Sequence, residues 1–297
     1  ITYYLNELPQ TAKSKRTATE SDLKAKGANI PFPGWDQLGL EAQETSATVL
    51  LLVRDAKGET VRWLEGASQK GVHRTNWDLR LPASDPISLS RPTFQPPWAG
   101  TPQGPMVAPG KYSVELYVLN NGQLQSQGAP QEFMVKAAPN VAQGVNYEEV
   151  AAFQRKGNEL SRQMGNAGRR LSEASEKLRF MKAALLKTPG ASPALFEQWE
   201  ALGKDLANLQ KGLNGDRTPA AYNEATSPSI RSRLGTAMGG SAGTTQLPTA
   251  TQKRDFGLAE TGFNQFKGQV EAFYKTLEAY EVALEKAGAP WTPGRKN

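Results

Sequence analysis

The sequence predicts an α+β protein of two domains, a β-sandwich over residues 1–137 followed by a long antiparallel three-helix bundle over 148–297, with a linker at 138–147. Three observations carry this prediction. The 297 residues are enough to bury two separate cores. Apolar residues in the first half recur with period two, the signature of half-buried strands. Beyond Asn146 they recur in steps of three and four, the signature of helices packed lengthwise.

Taken in order, Ile1-Thr2-Tyr3-Tyr4-Leu5 reads as a strand, without the charged and apolar regions of a signal peptide, and looks like the start of a mature product or a fragment. Thr48–Val53 and Thr60–Leu64 form a hairpin around the turn residues Asp55–Gly58. Gly71–Leu81 alternates, with His73, Thr75, Trp77 and Leu79 on one face. Pro109-Gly110 introduces the strand Lys111–Val118, whose Tyr112, Val114, Leu116 and Val118 share a side, and Gly122 turns the chain toward a last strand near Glu132–Val135. Several short strands at this spacing indicate a sandwich. Two insertions, 10–47 and 82–109, the latter with eight prolines, are expected to be extended loops over it.

In the second half Asn146 is placed to cap a helix with Glu148 and Glu149 in its first turn. The stripe Val150, Phe153, Gly157, Leu160, Met164 and onward to Leu185 defines a helix about 60 Å long, and Phe256 to Leu284 one of about 55 Å. Leu195 to Leu213 defines a middle helix of about half that length. Ser227, as an N-cap ahead of Pro228, is expected to begin a further short helix that completes the second leg.

Composition narrows the chemistry. The chain has no cysteine and a single histidine, which removes thiolate sites, disulfides and imidazole-based metal centres, so no cofactor or metal is expected. No apolar run approaches the ~18 residues of a transmembrane span. The net charge of +6 is concentrated in the helical half, where Lys+Arg and Asp+Glu number 21 and 16, but acids are interleaved throughout and no nucleic-acid partner is expected. Gly239-Gly240-Ser241-Ala242-Gly243 matches the nucleophile-elbow pattern, yet the only histidine precedes it, contrary to the order such a triad needs. It reads as a glycine loop. The acidic pairs Glu148-Glu149 and Glu41 with Glu44 read as solvated helix-start and loop carboxylates, and His73 as a residue at the edge of a strand core. No catalytic constellation is assembled by these residue types. The loop aromatics Trp35 and Trp98 read first as plugs for the ends of the sandwich; with Phe32 and Phe94 they are also the candidate interaction or glycan-stacking surface.

The stretches Gly27–Pro33, Val53–Gly58, Gly71–Arg80 (GVHRTNWDLR) and Val107–Tyr112, together with Ser227–Leu234 and Thr249–Arg254, resemble the C-terminal region of large exported bacterial proteins bearing sortilin-like (BNR/VPS10-type) β-propellers, commonly labelled glycosyl hydrolases. The resemblance implies an Ig-like or fibronectin-like sandwich, a helical bundle, and a periplasmic or extracellular location. The family's chemistry is attributed to the propeller, and no propeller repeats occur here. The expected function is therefore a non-catalytic interaction or scaffolding module, with protein partners that include a membrane-associated complex. The alternative is a glycan-binding accessory module of a sialidase-like glycosyl hydrolase.

Overall fold

The computed structural model describes residues 1–297 apart from 90–93, 140–143, 242 and 296–297 and the side chain of 220. The centre of the expected 138–147 linker therefore lies outside the described residues. The protein is α+β, with helices and small antiparallel sheets. It divides into two compact units, Ile1–Leu81 with Val107–Ala142, and Pro82–Met106 with Gln143–Asn297, so the chain passes between units three times.

The first unit contains strands β1 (Thr2–Leu5), β2 (Thr48–Asp55), β3 (Thr60–Gly66), β4 (Gly71–Arg74), β5 (Gly110–Asn120), β6 (Gln123–Ser126) and β7 (Gln131–Val135), and helices α1 (Ala12–Ala25) and α2 (Trp35–Gln43). β1 and β4 form a two-stranded sheet, and β3-β2-β5-β6 a larger one. β5 is long enough to take β7 along Gly110–Val114 and β6 along Tyr117–Asn120. Val49, Leu51 and Val53 of β2 share a face with Val118, Leu116 and Val114 directly opposite on β5. Tyr3 and Leu5 pack with Val49 and Val118, while Ile1, Trp77 and Phe133 pack with Val53 and Tyr112. The predicted hairpin forms: Asp55 Oδ1 accepts the backbone N–H groups of Lys57 and Glu59, both at 2.9 Å, and Gly58 supplies the left-handed φ of +82°.

Three expectations are corrected here. First, the strand predicted over Gly71–Leu81 stops at Arg74. The carboxylate of Asp78 accepts the Arg80 N–H at 3.0 Å, the Trp77 indole donates to the Arg80 carbonyl at 3.1 Å, and Leu79 takes a φ of +59°, a local turn that replaces ladder bonds. Second, Asn121 and Gly122, both left-handed, reverse the chain at once into β6, a strand whose exposed QLQS carries no apolar alternation to predict it. Third, 10–47 is no extended loop but a helical hairpin, described below.

The second unit contains α3 (Tyr147–Leu185), α4 (Pro193–Asn214), α5 (Arg217–Ala221), α6 (Ile230–Gly239) and α7 (Ala250–Lys286). Asn146 caps α3, accepting the Glu149 N–H at 3.2 Å, and α7 opens on a capping box between Thr249 and Gln252. α4 and α6 both pack against α3 and α7. The N-cap of α6 is Ser229, two residues beyond the expected Ser227; its hydroxyl accepts the Ser232 N–H at 3.1 Å. From that start Leu234 and Ala237 reach the core, and Ile230 packs against it. The described residues of 82–106 are irregular outside an isolated bridge, and the segment belongs to the helical unit rather than to the β unit. Asn158 of α3 donates to the Pro82 carbonyl at 3.3 Å, and a Cβ on Gly165 would lie 3.2 Å from the Pro86 ring, so this glycine gives the segment its seat.

Phe263, 1% exposed, sits in the centre of the helical core. Phe263→Ala should lower the unfolding free energy by about 3–5 kcal/mol in urea denaturation. Trp77 is half-buried, and Trp77→Ala should cost about 3 kcal/mol, the low end for an aromatic truncation. His73→Ala, measured the same way, should shift stability by less than about 1 kcal/mol, as a partly exposed position does.

Candidate functional site

The residues 10–47 assemble a site that the apolar pattern hides. α1 has the sequence AKSKRTATESDLKA and no buried residue. Polar contacts hold it instead. The Thr11 hydroxyl accepts the Ser14 N–H at 3.1 Å, and the Glu44 carboxylate accepts the Ala12 N–H at 2.6 Å, so both satisfy free donors of the first turn. Arg16 projects from α1 to α2, donating from Nε and Nη2 to Glu41 at 2.8–2.9 Å and from Nη1 to Glu20 at 2.6 Å. Gln37 adds a third donor to Glu41 at 3.2 Å. The Arg16 guanidinium holds the Glu41 carboxyl below the usual carboxylate range, against the opposing effect of its burial. The acidic pair Glu41 and Glu44 is thus fully engaged in structure, one closing the hairpin and one capping a helix.

This hairpin positions the first pair of predicted aromatics. After α1 the chain turns at Gly27 (φ +64°), runs through Ile30-Pro31-Phe32-Pro33, and turns again at Gly34 (φ +92°) into α2. Phe32 and Trp35 meet edge-on, with ring centroids 5.1 Å apart. They remain 63% and 78% exposed. The expectation that Trp35 plugs a sandwich end is therefore overturned: the charged interior of the hairpin offers no apolar slot for an indole.

The second pair lies on the other unit. Phe94 and Trp98 are 74% and 84% exposed, and Ile87 and Leu89 on the same segment 86% and 94%. Trp98 is likewise no plug. The structure places Phe32 and Trp35 on the first unit and Phe94 and Trp98 on the second.

The remaining candidates have structural roles. The His73 ring donates from Nε2 to the Gln69 carbonyl at 2.6 Å and lies against Tyr3. Ser241 is buried at the end of α6, and its carbonyl accepts the Gln154 amide at 2.6 Å, which fixes the loop rather than activating the hydroxyl; Ala242 of the same motif lies outside the described residues. Glu148 faces Arg155 at 3.9 Å and Glu149 binds Lys253 at 3.1 Å. A cleft of about 410 Å³ beside Ser84 and Ser161 has Asp85 and Arg231 as its charged lining. Its lining thus holds a single carboxylate and no imidazole. Among the described residues no group of three or more His, Asp or Glu is spaced to hold a metal, and no helix is long and apolar enough to cross a membrane.

One surface escaped the sequence reading. On the outer face of the larger sheet, Trp63 of β3, 43% exposed, packs against Tyr117 of β5 with ring centroids 5.7 Å apart. Arg54 donates to the Tyr117 oxygen at 3.3 Å and to Glu115 at 2.6 Å, and Ser126 donates to Glu115 at 2.7 Å. These donors, Ser126 foremost, lower the Glu115 pKa. For Tyr117 the signal was present as alternation, because it falls with Ser113 and Glu115 on the polar phase of β5, where a large aromatic is out of place unless used; Trp63 shares its phase with Val61 and gave no such signal.

In comparisons with known proteins, no family model, no curated protein and no solved structure matches the chain.

Because the Glu41 pKa is depressed in the folded hairpin, its contribution to stability is intact above the ordinary carboxylate value of 4.5 and is lost as pH falls through the lower folded value. Hydrogen exchange of the α1 and α2 amides, corrected for intrinsic rates, should therefore accelerate on acidification before that of α7 does. Glu41→Gln should show the fast exchange already at neutral pH.

Proposed function

We propose that this chain is a non-catalytic interaction module of an exported bacterial protein, built as an Ig-like or fibronectin-like sandwich with an elongated three-helix bundle. It serves as a structural subunit on the periplasmic face of a larger assembly. The observation that carries this reading is the run of Ile87, Leu89, Phe94 and Trp98 on a segment seated at Pro82 and Pro86. Single exposed apolar residues are ordinary on any protein. Four within a dozen residues, in a stretch of sequence rich in proline, make an apolar strip along the chain, and each proline has less backbone freedom to lose on binding. A partner covering this strip and its surroundings would bury the roughly 1,200–2,000 Å² of a specific contact. Export and the enzyme-free role rest on the resemblance of Gly71–Arg80 and its companion stretches to the region that follows a propeller.

A photo-crosslinking residue at Leu89 or Trp98 should give a reproducible protein adduct in native extract. Leu89→Ala with Trp98→Ala should abolish co-purification while leaving the thermal transition in place. Hydrolysis of glycosides or esters that survives repurification, with no reproducible adduct, would replace this reading with an enzyme.

The Trp63–Tyr117 pair favours the second reading, a glycan-binding accessory module, because an exposed indole beside fixed hydrogen-bonding groups is how sugar rings are held. Trp63→Ala should then abolish binding on a glycan array without unfolding the protein.

A further inference from the structure

We infer that the tip of the α1–α2 hairpin is a membrane-surface anchor: Ile30, Phe32 and Trp35 enter the lipid–water interface of a bilayer containing anionic lipid, while Lys24 and Lys26 sit among its headgroups. The three apolar side chains fall within six residues and are about half to three-quarters exposed. From Leu23 to Trp35 the chain carries two lysines and no carboxylate, within a protein of net charge +6. Tryptophan favours the interfacial zone, where its ring finds an apolar and a polar environment together, and phenylalanine belongs to the apolar face that such a segment sinks below it.

The tip is preformed. The N–H of Gly27 bonds to the Lys24 carbonyl at 3.1 Å and that of Ala28 to the Leu23 carbonyl at 3.0 Å, which closes the end of α1. Pro31 and Pro33 then restrict the loop on both sides of Phe32, and the ring contact with Trp35 fixes the two aromatics relative to each other. Entry into lipid thus orders little that is not already ordered. No side chain of α1 is buried, so the lysines at its end stay available to headgroups. Three exposed apolar side chains within six residues suit a fluid interface better than a protein surface. A protein partner would need a broad patch with a polar rim, whereas an interfacial segment needs only a few apolar groups sunk about 5–10 Å and basic residues beside them. The inference concerns a different segment from the strip at 87–98, and either can fail without the other.

The test is co-sedimentation of the full chain with vesicles of phosphatidylcholine alone and of phosphatidylcholine mixed with phosphatidylglycerol. Binding is expected to the mixed vesicles only, and to weaken with added salt. Each of Lys24→Gln and Lys26→Gln should lower the partition coefficient about fivefold, and Phe32→Ala with Trp35→Ala about tenfold or more. All four positions are exposed, so an unchanged circular dichroism spectrum is expected and checks that each variant is folded. Lipids brominated along the acyl chain should quench tryptophan fluorescence in the parent chain and much less in Trp35→Phe. The inference is overturned if the chain fails to sediment with anionic vesicles, if the aromatic double variant still binds, or if quenching is unchanged in Trp35→Phe. It is equally overturned if a crosslinker at Phe32 captures one protein reproducibly while the vesicles capture nothing.

Discussion

The aromatic seam of α7 is the constraint that orders the second unit. Phe256, Phe263, Phe266, Phe273 and Tyr280 are all buried, and they occupy the side of α7 against which α3, α4 and α6 pack. Rings of this size leave little choice of register, because a shift of one turn would place a Phe where the facing helix offers a Leu-sized hole. Hydrogen bonds from aromatic side chains then lock the registers. Tyr280 donates to the Leu195 carbonyl at 3.1 Å, Tyr274 to the Arg170 carbonyl at 2.6 Å, and Trp199 of α4 to the Leu178 carbonyl at 2.9 Å. Each satisfies a polar atom that would otherwise be stranded in an apolar interface.

The two inserts are organised by the opposite means. In 10–47 the contact between helices is a carboxylate wrapped by a guanidinium and an amide, and in 82–106 it is a proline resting on a glycine. Neither contact uses the large apolar side chains that the inserts possess. Ile30, Phe32, Trp35, Ile87, Leu89, Phe94 and Trp98 are therefore left on the surface, the first three on a hairpin whose backbone is already held. An exposed aromatic on a loose loop loses much of its burial energy to ordering, and one on a fixed segment keeps it. This division of labour is the ground on which contact, with protein or with lipid, is proposed for these surfaces.

What was legible in the sequence follows the same division. Elements that bury apolar side chains announced themselves through period: the stripe Leu160, Met164, Leu171, Leu178 gave α3, and Val49, Leu51, Val53 gave β2. α1 and β6 were illegible because nothing on them is buried. A helix stabilised by Thr11, Glu44 and the Arg16–Glu20 pair at i, i+4 has its information in caps and charges, each worth a fraction of what a buried Leu contributes. The strand after Arg74 failed for a related reason. Its alternation continues, with Thr75 and Trp77 half-buried and Asn76 and Asp78 exposed, but alternation reports which side faces the core and not whether a neighbour supplies ladder bonds. Among the site residues, Trp35, Trp98, Phe32 and Phe94 were found by composition, as aromatics in polar or proline-rich surroundings, whereas the exposure of Phe32 and Trp35 follows from a hairpin held by polar contacts that no periodicity encodes.

Trp63 shows how the missed surface could have been found. Along β3 the residues Val61, Trp63 and Glu65 would share a face in an unbroken strand, and Val61 is buried, which argues for Trp63 as core. The register shift between Val53 and Arg54 breaks that phase. Val61 packs with Val53 in the interior, while Trp63 pairs with Leu52 on the outer face and meets Tyr117 there. A bulge thus moves one aromatic from the core side to the solvent side at the cost of a single irregular pair. The indole then covers Leu52, which is 3% exposed although it points away from the main core. The outer face of this sheet is consequently a second, thin apolar layer of Leu52, Trp63 and Tyr117 with Arg54 and Glu115 beside it.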